Sequence, residues 1–359
     1  MMLPKADVII PVRDGERYIA PAIASLAADA EFINKLIIVN DGSSDGTAAF
    51  LSNLKWNGKT EIIHQPPLGL CTALNRALGA AEMSLVARMD ADDISIPGRL
   101  KAQIEYLEGA PDVAAVGAQV LTIDAEGVPT GDRSNYPLDA SAIRDQLYKK
   151  GSCAISHPTV MMRKDAVLAC GRYRTAFQHA EDYDLWLRLS ERHRIANLPD
   201  AFLYYRLHQS QVASLFRARQ SFSRDLALYA ARERERSGRD PCEGLSEAPN
   251  FEELMRSPSG QRTTLQELAA AYDAIDAIQE KRRTSLTLAA VGAIPALAKM
   301  RYLGESRRRR YALIRTAAWT ALTRFNFMAA LEAYLAFLQC RIGDSKMFQS
   351  MARSLGATG

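Results

Sequence analysis

No two cysteines in this 359-residue chain have CxxC spacing, and the five that occur are too widely separated to suggest a disulfide framework or a zinc site. They are Cys71, Cys153, Cys170, Cys242 and Cys340. An odd number of dispersed cysteines is typical of proteins from a reducing compartment. We therefore expect a cytoplasmic protein that is stabilised by an apolar core.

Long apolar runs are also absent. The longest uncharged segment in the C-terminal half, residues 284–298, contains Gly292 and Pro295 and is shorter than the about 20 apolar residues that a membrane-spanning helix needs. The first residues, MMLPKADVII, do not combine a basic segment with a long apolar stretch. The sequence predicts neither a transmembrane helix nor a secretory signal.

A glycine-rich phosphate turn is missing after the first predicted strand. VRDGERY stands where a dinucleotide-binding dehydrogenase has GxGxxG, so this class is disfavoured. With 48% hydrophobic and 24% charged residues, the composition is that of an ordinary globular protein, and the length allows one large domain or two.

The sequence does contain a regular alternation of strand and helix patterns. Apolar β-type runs are separated by segments with apolar residues at helical spacing, and this order predicts an α/β fold with a mostly parallel, Rossmann-like sheet flanked by helices. The predicted strands are 7–12, 35–39, 61–64, 84–89 and 113–123, the last as a bent strand or a strand pair, and the predicted helices are 18–28, 70–81 and 97–107.

The most unusual feature is the segment VARMDADD, in which Asp90, Asp92 and Asp93 end an apolar run. Carboxylates at such spacing repel one another, and a divalent cation with its preference for oxygen ligands would compensate them. The alternative is an exposed loop whose aspartates cap the next helix.

Two further polar clusters lie next to predicted elements. NDGSSDGT, residues 40–47, follows the second strand and contains Asp41, and HAEDYD, residues 179–184, precedes an amphipathic helix. Ligands bind at the carboxyl ends of strands in open α/β sheets, which makes the first loop a candidate binding site. Glu181 and Asp182 in the second cluster could also be acids that favour a helix N-terminus.

Four strings resemble glycosyltransferase family 2, whose members are inverting nucleotide-sugar transferases with the GT-A fold. They are VIIPVRDGERYIAPAIASL, IIVNDGSSDGT, ALNRALGAA followed by ARMDADDISIPGRL, and HAEDYDLWLRL, and they occur in the family's order within residues 5–212. The resemblance implies an enzyme with a nucleotide-sugar donor and no nucleic acid partner. It also implies Mg²⁺ or Mn²⁺ as cofactor.

The resemblance also implies roles for single residues. Asp182 matches the family's general base, and Glu181 supports it or binds the acceptor. Asp92 matches the metal ligand, and His208, in YYRLHQS, completes the metal or diphosphate shell.

On the nucleotide side, Pro11 and Val12 are expected to pack against the base, and Asp41 to accept a hydrogen bond from N3 of uracil or thymine, which favours UDP- or dTDP-sugars. Arg13 stands where relatives often have an aromatic residue and can stack in its place. Arg76 can contact phosphate, and Asp90 faces the ribose or a metal-bound water.

No QxxRW string follows the acidic pair, and in this family that string accompanies processive synthases. We therefore expect transfer of a single sugar to a glycan or lipid-linked acceptor, as in lipopolysaccharide, capsule or other cell-surface glycan synthesis. Two alternatives stay open. One is a nucleotidyltransferase that forms nucleotide sugars, and the other is a non-catalytic nucleotide-sugar-binding relative.

The chain changes character near residue 214. Residues 1–214 form the predicted catalytic domain, with 22 basic and 26 acidic residues, whereas residues 215–359 read as helices with 23 basic and 15 acidic residues. A helical bundle packed on itself or on the catalytic domain is the favoured interpretation. The alternatives are contact with the acceptor and peripheral contact with an anionic membrane surface through the basic helices.

Overall fold

The computed structural model describes residues 3–208 and 217–247 of the chain. Within these residues the backbone forms nine strands of one sheet and eight α-helices. The strands are β1 (Ala6–Val12), β2 (Ile33–Asp41), β3 (Lys59–Gln65), β4 (Leu85–Arg88), β5 (Ile94–Ser95), β6 (Val113–Ile123), β7 (Pro129–Arg133), β8 (Met161–Arg163) and β9 (Arg194–Arg206). The helices are α1 (Ile19–Ser25), α2 (Thr47–Ser52), α3 (Leu70–Ala80), α4 (Arg99–Gly109), α5 (Ala140–Tyr148), α6 (Lys164–Ala169), α7 (Glu181–Ser190) and α8 (Arg217–Ser237).

The strand order is β3-β2-β1-β4-β8-β6-β9-β5, with β7 beside β6. The first four of these strands are parallel, as predicted, and β6 and β9 form a further parallel pair. The remaining pairings are antiparallel, so the sheet as a whole is mixed. Because β1 lies between β2 and β4, the loops after these three strands lie side by side at the carboxyl ends of the parallel strands.

Apolar side chains cover both faces of the sheet, which explains why β1 and β2 read as nearly continuous apolar runs. Alternate residues of β1 point to opposite faces: Ile9 belongs to one buried cluster, and Val8 and Ile10 belong to the other. Helices α3, α5, α7 and α8 cover the first face, and α1 and α4 cover the second.

Several boundaries differ from the predictions. Residues 113–123 form one long strand, and α1 ends at Ser25, where a 3₁₀ segment, Leu26–Phe32, continues the chain. The aspartates of VARMDADD do not cap a helix, because β5 follows them. Helix α4 begins only at Arg99, and its first N–H groups are satisfied by Asp29, which accepts hydrogen bonds from Gly98 and Leu100.

The helix predicted after residue 215 is present as α8. Residues 248–359, which carry most of the predicted C-terminal helical region and its basic cluster, lie outside the described residues. None of the helices in the described part of the chain combines the length and the hydropathy needed to span a bilayer.

Candidate active site

The three aspartates of VARMDADD form one cluster at the carboxyl end of β4. Asp90, Asp92 and Asp93 occupy the turn between β4 and β5, and each offers a carboxylate oxygen within 4.8 Å of the others. This spacing is compatible with a shared cation.

The positive charge of Arg88 offsets part of the negative charge of the aspartate cluster. Its side chain is buried and donates hydrogen bonds to both carboxylate oxygens of Asp90, one of them at 2.8 Å. Burial raises the pKa of Asp90 to about 6 against the opposing attraction of Arg88. This ion pair gives Arg88 a structural role as the counterion of Asp90.

Asp93 is fully buried. Its Oδ1 accepts a hydrogen bond from the backbone N–H of Arg206 at 2.9 Å, and its Oδ2 has no hydrogen-bond partner among the described residues. Burial, together with the neighbouring Asp90 and Asp92, raises the pKa of Asp93 well above its usual range. An orphaned carboxylate oxygen at this position fits a cluster that binds a cation.

The two predicted metal ligands, Asp92 and His208, are 116 residues apart in the sequence but in contact in the folded protein. Nε2 of His208 lies 2.9 Å from Oδ2 of Asp92. Ligands at adjacent positions of an octahedral ion with bonds of about 2.1 Å are about 3 Å apart. An imidazole nitrogen and carboxylate oxygens are suitable ligands for Mn²⁺, and the oxygens also suit Mg²⁺, so these residues fit the predicted ion.

Tyr18 and Arg206 support this pair, and sequence reasoning missed both. The Tyr18 ring lies 5.1 Å from the His208 ring, centroid to centroid, and the Arg206 guanidinium lies 4.7 Å from the Tyr18 centroid. Arg206 also donates from Nε to the carbonyl oxygen of Asp92 at 2.7 Å. Arg206 lies two residues before His208 in the string YYRLH, and this proximity could have indicated its role. Nothing in the sequence indicated a role for Tyr18.

The acidic pair Glu181 and Asp182 lies in the first turn of α7. Asp182 contributes to the raised pKa of Asp90, and Asp90 contributes to that of Glu181, so the two acidic groups interact across the site. Burial and then Asp182 raise the pKa of Glu181 to about 8. Burial also raises the pKa of Asp182, opposed by the Tyr183 N–H and by Arg88. Glu181 therefore holds its proton at neutral pH.

Both carboxylate oxygens of Asp182 have partners. The Tyr183 N–H donates to Oδ1 at 2.7 Å, and the Cys153 thiol donates to Oδ2 with Sγ 3.6 Å away. Cys153 carries no motif and lies 29 residues before Asp182, so the sequence offered no signal for this contact.

On the nucleotide side, the loops after β1 and β2 are held together by side-chain hydrogen bonds. Asp14 accepts from Ser44 N–H at 2.7 Å, and Glu16 accepts from Gly46 N–H at 2.9 Å. Pro11 and Val12 are buried at the end of β1. Arg13 is exposed beside Asp14, with Nε 3.8 Å from its carboxylate.

Asp41 ends β2 and holds the following β3–α3 loop in place. Its carboxylate accepts hydrogen bonds from Gln65 Nε2 at 2.7 Å, from Leu68 N–H at 2.8 Å and from Gly69 N–H at 2.9 Å. Arg76 is exposed on α3, and its Nη1 lies 3.4 Å from Gln65 Oε1. Asp41 and Arg76 are thus linked through Gln65, another residue that the sequence did not single out. The predicted contacts of these residues with a nucleotide stay predictions.

Comparisons with known proteins agree with this architecture. The family profile described as Glycosyl transferase family 2 matches residues 7–169. The O-antigen biosynthesis glycosyltransferase WbnJ of Escherichia coli is 32% identical over 216 residues, which are 58% of this chain and 81% of WbnJ. The amylovoran biosynthesis glycosyltransferase AmsE of Erwinia amylovora is 34% identical over 183 residues, which are 50% of this chain and just under two thirds, 66%, of AmsE.

Among solved structures, S. aureus TarS 1-349 in complex with UDP-GlcNAc matches with a TM-score of 0.56 at 15% identity, over 95% of this chain and 93% of that one. This likeness establishes the fold as GT-A. The identity to WbnJ, the profile match and the fold together show that the chain belongs to glycosyltransferase family 2 and is a glycosyltransferase.

Proposed function

We propose that the enzyme transfers a single sugar from a UDP- or dTDP-sugar, with inversion at the anomeric carbon, to a hydroxyl of a glycan or lipid-linked acceptor in cell-surface polysaccharide synthesis. The observation that carries the proposal is the arrangement of two acidic groups around one site. One is the aspartate cluster with His208, and the other is Asp182 with protonated Glu181; the two groups are close enough to raise one another's pKa values.

Asp182 is the base in this proposal. The acceptor hydroxyl oxygen attacks the anomeric carbon, the bond from that carbon to the diphosphate oxygen breaks with its electron pair, and the hydroxyl proton passes to Asp182. A carboxylate with a raised pKa is suited to this transfer, because the proton acceptor works best when its pKa approaches the working pH. Glu181 is neutral and does not compete for the proton.

Asp92 and His208 are the proposed metal ligands, and Asp90 faces the nucleotide side. Bound Mg²⁺ or Mn²⁺ would offset the negative charge of the leaving diphosphate. The buried charge of Arg88 favours the ionised forms of Asp90 and Asp182.

The donor preference rests on Asp41 and on similarity. Among the described residues, Oδ2 of Asp41 accepts a hydrogen bond only from Gly69, which leaves a lone pair for the N3–H of a pyrimidine base. TarS, which shares the fold, has been crystallised with UDP-GlcNAc. The names of WbnJ and AmsE support a polysaccharide product. A cytoplasmic location and membrane contact through residues 215–359 stay predictions.

Transfer and slow donor hydrolysis with UDP-, dTDP- and GDP-sugars test this function. We expect turnover with a uridine or thymidine donor, loss of activity with EDTA, and recovery with Mn²⁺ or Mg²⁺. Asp182→Asn should lower kcat by about 10²-fold or more, because it removes the base while keeping the shape of the side chain. NMR of the product should show the inverted anomeric configuration.

Three results would contradict parts of the proposal. Full transfer by Asp182→Asn would exclude Asp182 as the base. Activity that survives complete chelation would exclude the metal, and a preference for GDP-sugars would exclude the role assigned to Asp41. Asp145→Asn serves as a control, because Asp145 is an exposed partner of Lys149 on α5 and should leave all three measurements unchanged.

A further inference from the structure

We propose that Cys153 is a positioning residue for sugar transfer, whose thiol donates a hydrogen bond to Oδ2 of Asp182 and so fixes the plane of the carboxylate that takes the acceptor's proton. The inference rests on the proposed role of Asp182 as the base. With the Tyr183 N–H on Oδ1 at 2.7 Å and the thiol 3.6 Å from Oδ2, rotation of the carboxylate is restrained at both oxygens.

The segment that carries Cys153 is itself held by two parts of the fold. Gln146 on α5 donates to the Cys153 carbonyl at 2.7 Å, and Asn197 on β9 donates to the Ala154 carbonyl at 2.9 Å. The position of the thiol is therefore set by the surrounding structure rather than by a flexible loop.

A thiol has a particular advantage at this position. It is a weak donor, so it can orient a carboxylate while stabilising the ionised form less than a hydroxyl or an amide would. The base keeps its affinity for a proton as a result. Burial and the neighbouring Asp182 raise the pKa of the Cys153 thiol well above its usual range, so the group remains a donor throughout the working pH range.

Several other charged and titratable groups also act on Asp182 and are common to the wild type and the variants below. They are Glu181 on α7, Arg88 and Asp90 at the end of β4, Cys71 on α3, Tyr136 after β7 and Tyr173 after α6, with Arg224 of α8 acting on Cys153. A difference between wild type and a Cys153 variant therefore reports on the thiol.

The kinetic experiment compares Cys153→Ala with wild type. Loss of one donor to the ionised carboxylate raises the pKa of Asp182, so the acidic limb of the kcat/KM profile should move about half a unit to higher pH. The plateau kcat should fall about tenfold, with an unchanged KM for the donor, because the base is no longer held in place. Cys170→Ala is the matched control: this partly exposed thiol contacts the Arg188 carbonyl at 3.8 Å, and its loss should move neither quantity.

Infrared spectroscopy tests the hydrogen bond without substrate. The S–H stretching component that disappears in Cys153→Ala should shift to lower frequency as Asp182 ionises, since a carboxylate is a stronger acceptor than a carboxyl group. This titration should be absent in Asp182→Asn.

Two outcomes overturn the inference and leave the proposed function standing. They are an S–H band that does not titrate in the wild type, and an acidic limb that stays in place in Cys153→Ala. Full transfer activity of Asp182→Asn overturns the proposed function instead, and the positioning role with it.

Discussion

At the scale of single residues, burial at the site changes the pKa values of acidic groups, and the sequence alone does not indicate these changes. Glu181 is only 5% exposed, and burial next to Asp182 raises its pKa to about 8. An ionised Glu181 is therefore unfavourable in the folded protein. The molecule tolerates this cost next to the proposed base, Asp182.

Glu181→Gln should stabilise the protein in a pH-dependent way. The unfolded chain releases the Glu181 proton near pH 4.5 and the folded chain only near pH 8, so the wild type loses stability over this interval and the glutamine variant does not. The difference in free energy of unfolding should grow by at most about 1.4 kcal/mol per pH unit up to pH 8 and then level off. Thermal unfolding of both proteins between pH 5 and 9 measures this difference. If the two curves of stability against pH are parallel, burial does not raise the pKa of Glu181.

Asp41 illustrates a residue with a structural role beside its predicted binding role. Asp41→Asn replaces one acceptor oxygen by an NH₂ group that must face the N–H donors of Gln65, Leu68 or Gly69. We expect a loss of about 1–3 kcal/mol in the free energy of unfolding, measured by urea denaturation without ligand. Arg76→Ala provides the comparison, because this exposed side chain should alter donor binding and leave stability within about 0.5 kcal/mol. An unchanged stability in Asp41→Asn would mean that the β3–α3 loop does not depend on this carboxylate.

At the scale of elements, a ladder of alternating charges joins α7 to α8. Asp184 is fully buried and accepts hydrogen bonds from Arg188 of its own helix and from Arg174 of the preceding segment. Arg174 continues to Asp240 at 2.7 Å, and Asp240 to Arg234 of α8 at 2.7 Å. Because Asp184 lies in the same first turn of α7 as Asp182, the ladder anchors the helix that carries the proposed base.

Asp184→Asn should be strongly destabilising. It leaves Arg174 and Arg188 without their shared counterion, and breaking a buried ion network in this way costs about 3–5 kcal/mol. Asp145→Asn is again the matched control, since its exposed pairing with Lys149 contributes less than about 1 kcal/mol. Equal urea midpoints for the two variants would show that the ladder does not stabilise the fold.

At the scale of the whole molecule, α8 lies within the same apolar cluster as the sheet, although the family profile ends at residue 169. The buried apolar residues of α8 are Leu226, Ala227, Leu228, Ala230 and Ala231. The two leucines alone contribute about 3–6 kcal/mol by burial, which is comparable to the whole stability of many domains. The predicted domain boundary at residue 214 therefore precedes a helix that packs on the catalytic part.

Two truncations test the consequence. A chain ending at residue 247 keeps α8 and should fold, whereas a chain ending at residue 216 exposes the surface of α7 that α8 covers and should aggregate or unfold. Solubility and the cooperativity of thermal unfolding distinguish the two. A stable, cooperative chain of residues 1–216 would show that α8 is an appendage rather than part of the core.

Local sequence patterns predicted most of the elements, because burial on both sides of a sheet and on one side of a helix leaves characteristic periodicities. The strands β1 to β4 and the helices α3 and α4 agree with the prediction to within a few residues. The exact ends of helices and strands did not follow from the local sequence pattern where they depend on residues that are distant in the sequence. Helix α4 begins at Arg99 because Asp29, about 70 residues away, caps it.

The sequence by itself determined the family, the parallel half of the sheet and the residue types at the site, since these depend on spacing along the chain. Only the tertiary structure decided which groups meet: His208 with Asp92, Cys153 with Asp182, and Tyr18 with Arg206. The tertiary structure also decided their charge, because desolvation and the approach of neighbouring carboxylates, which keep Glu181 neutral, exist only once distant segments have packed together.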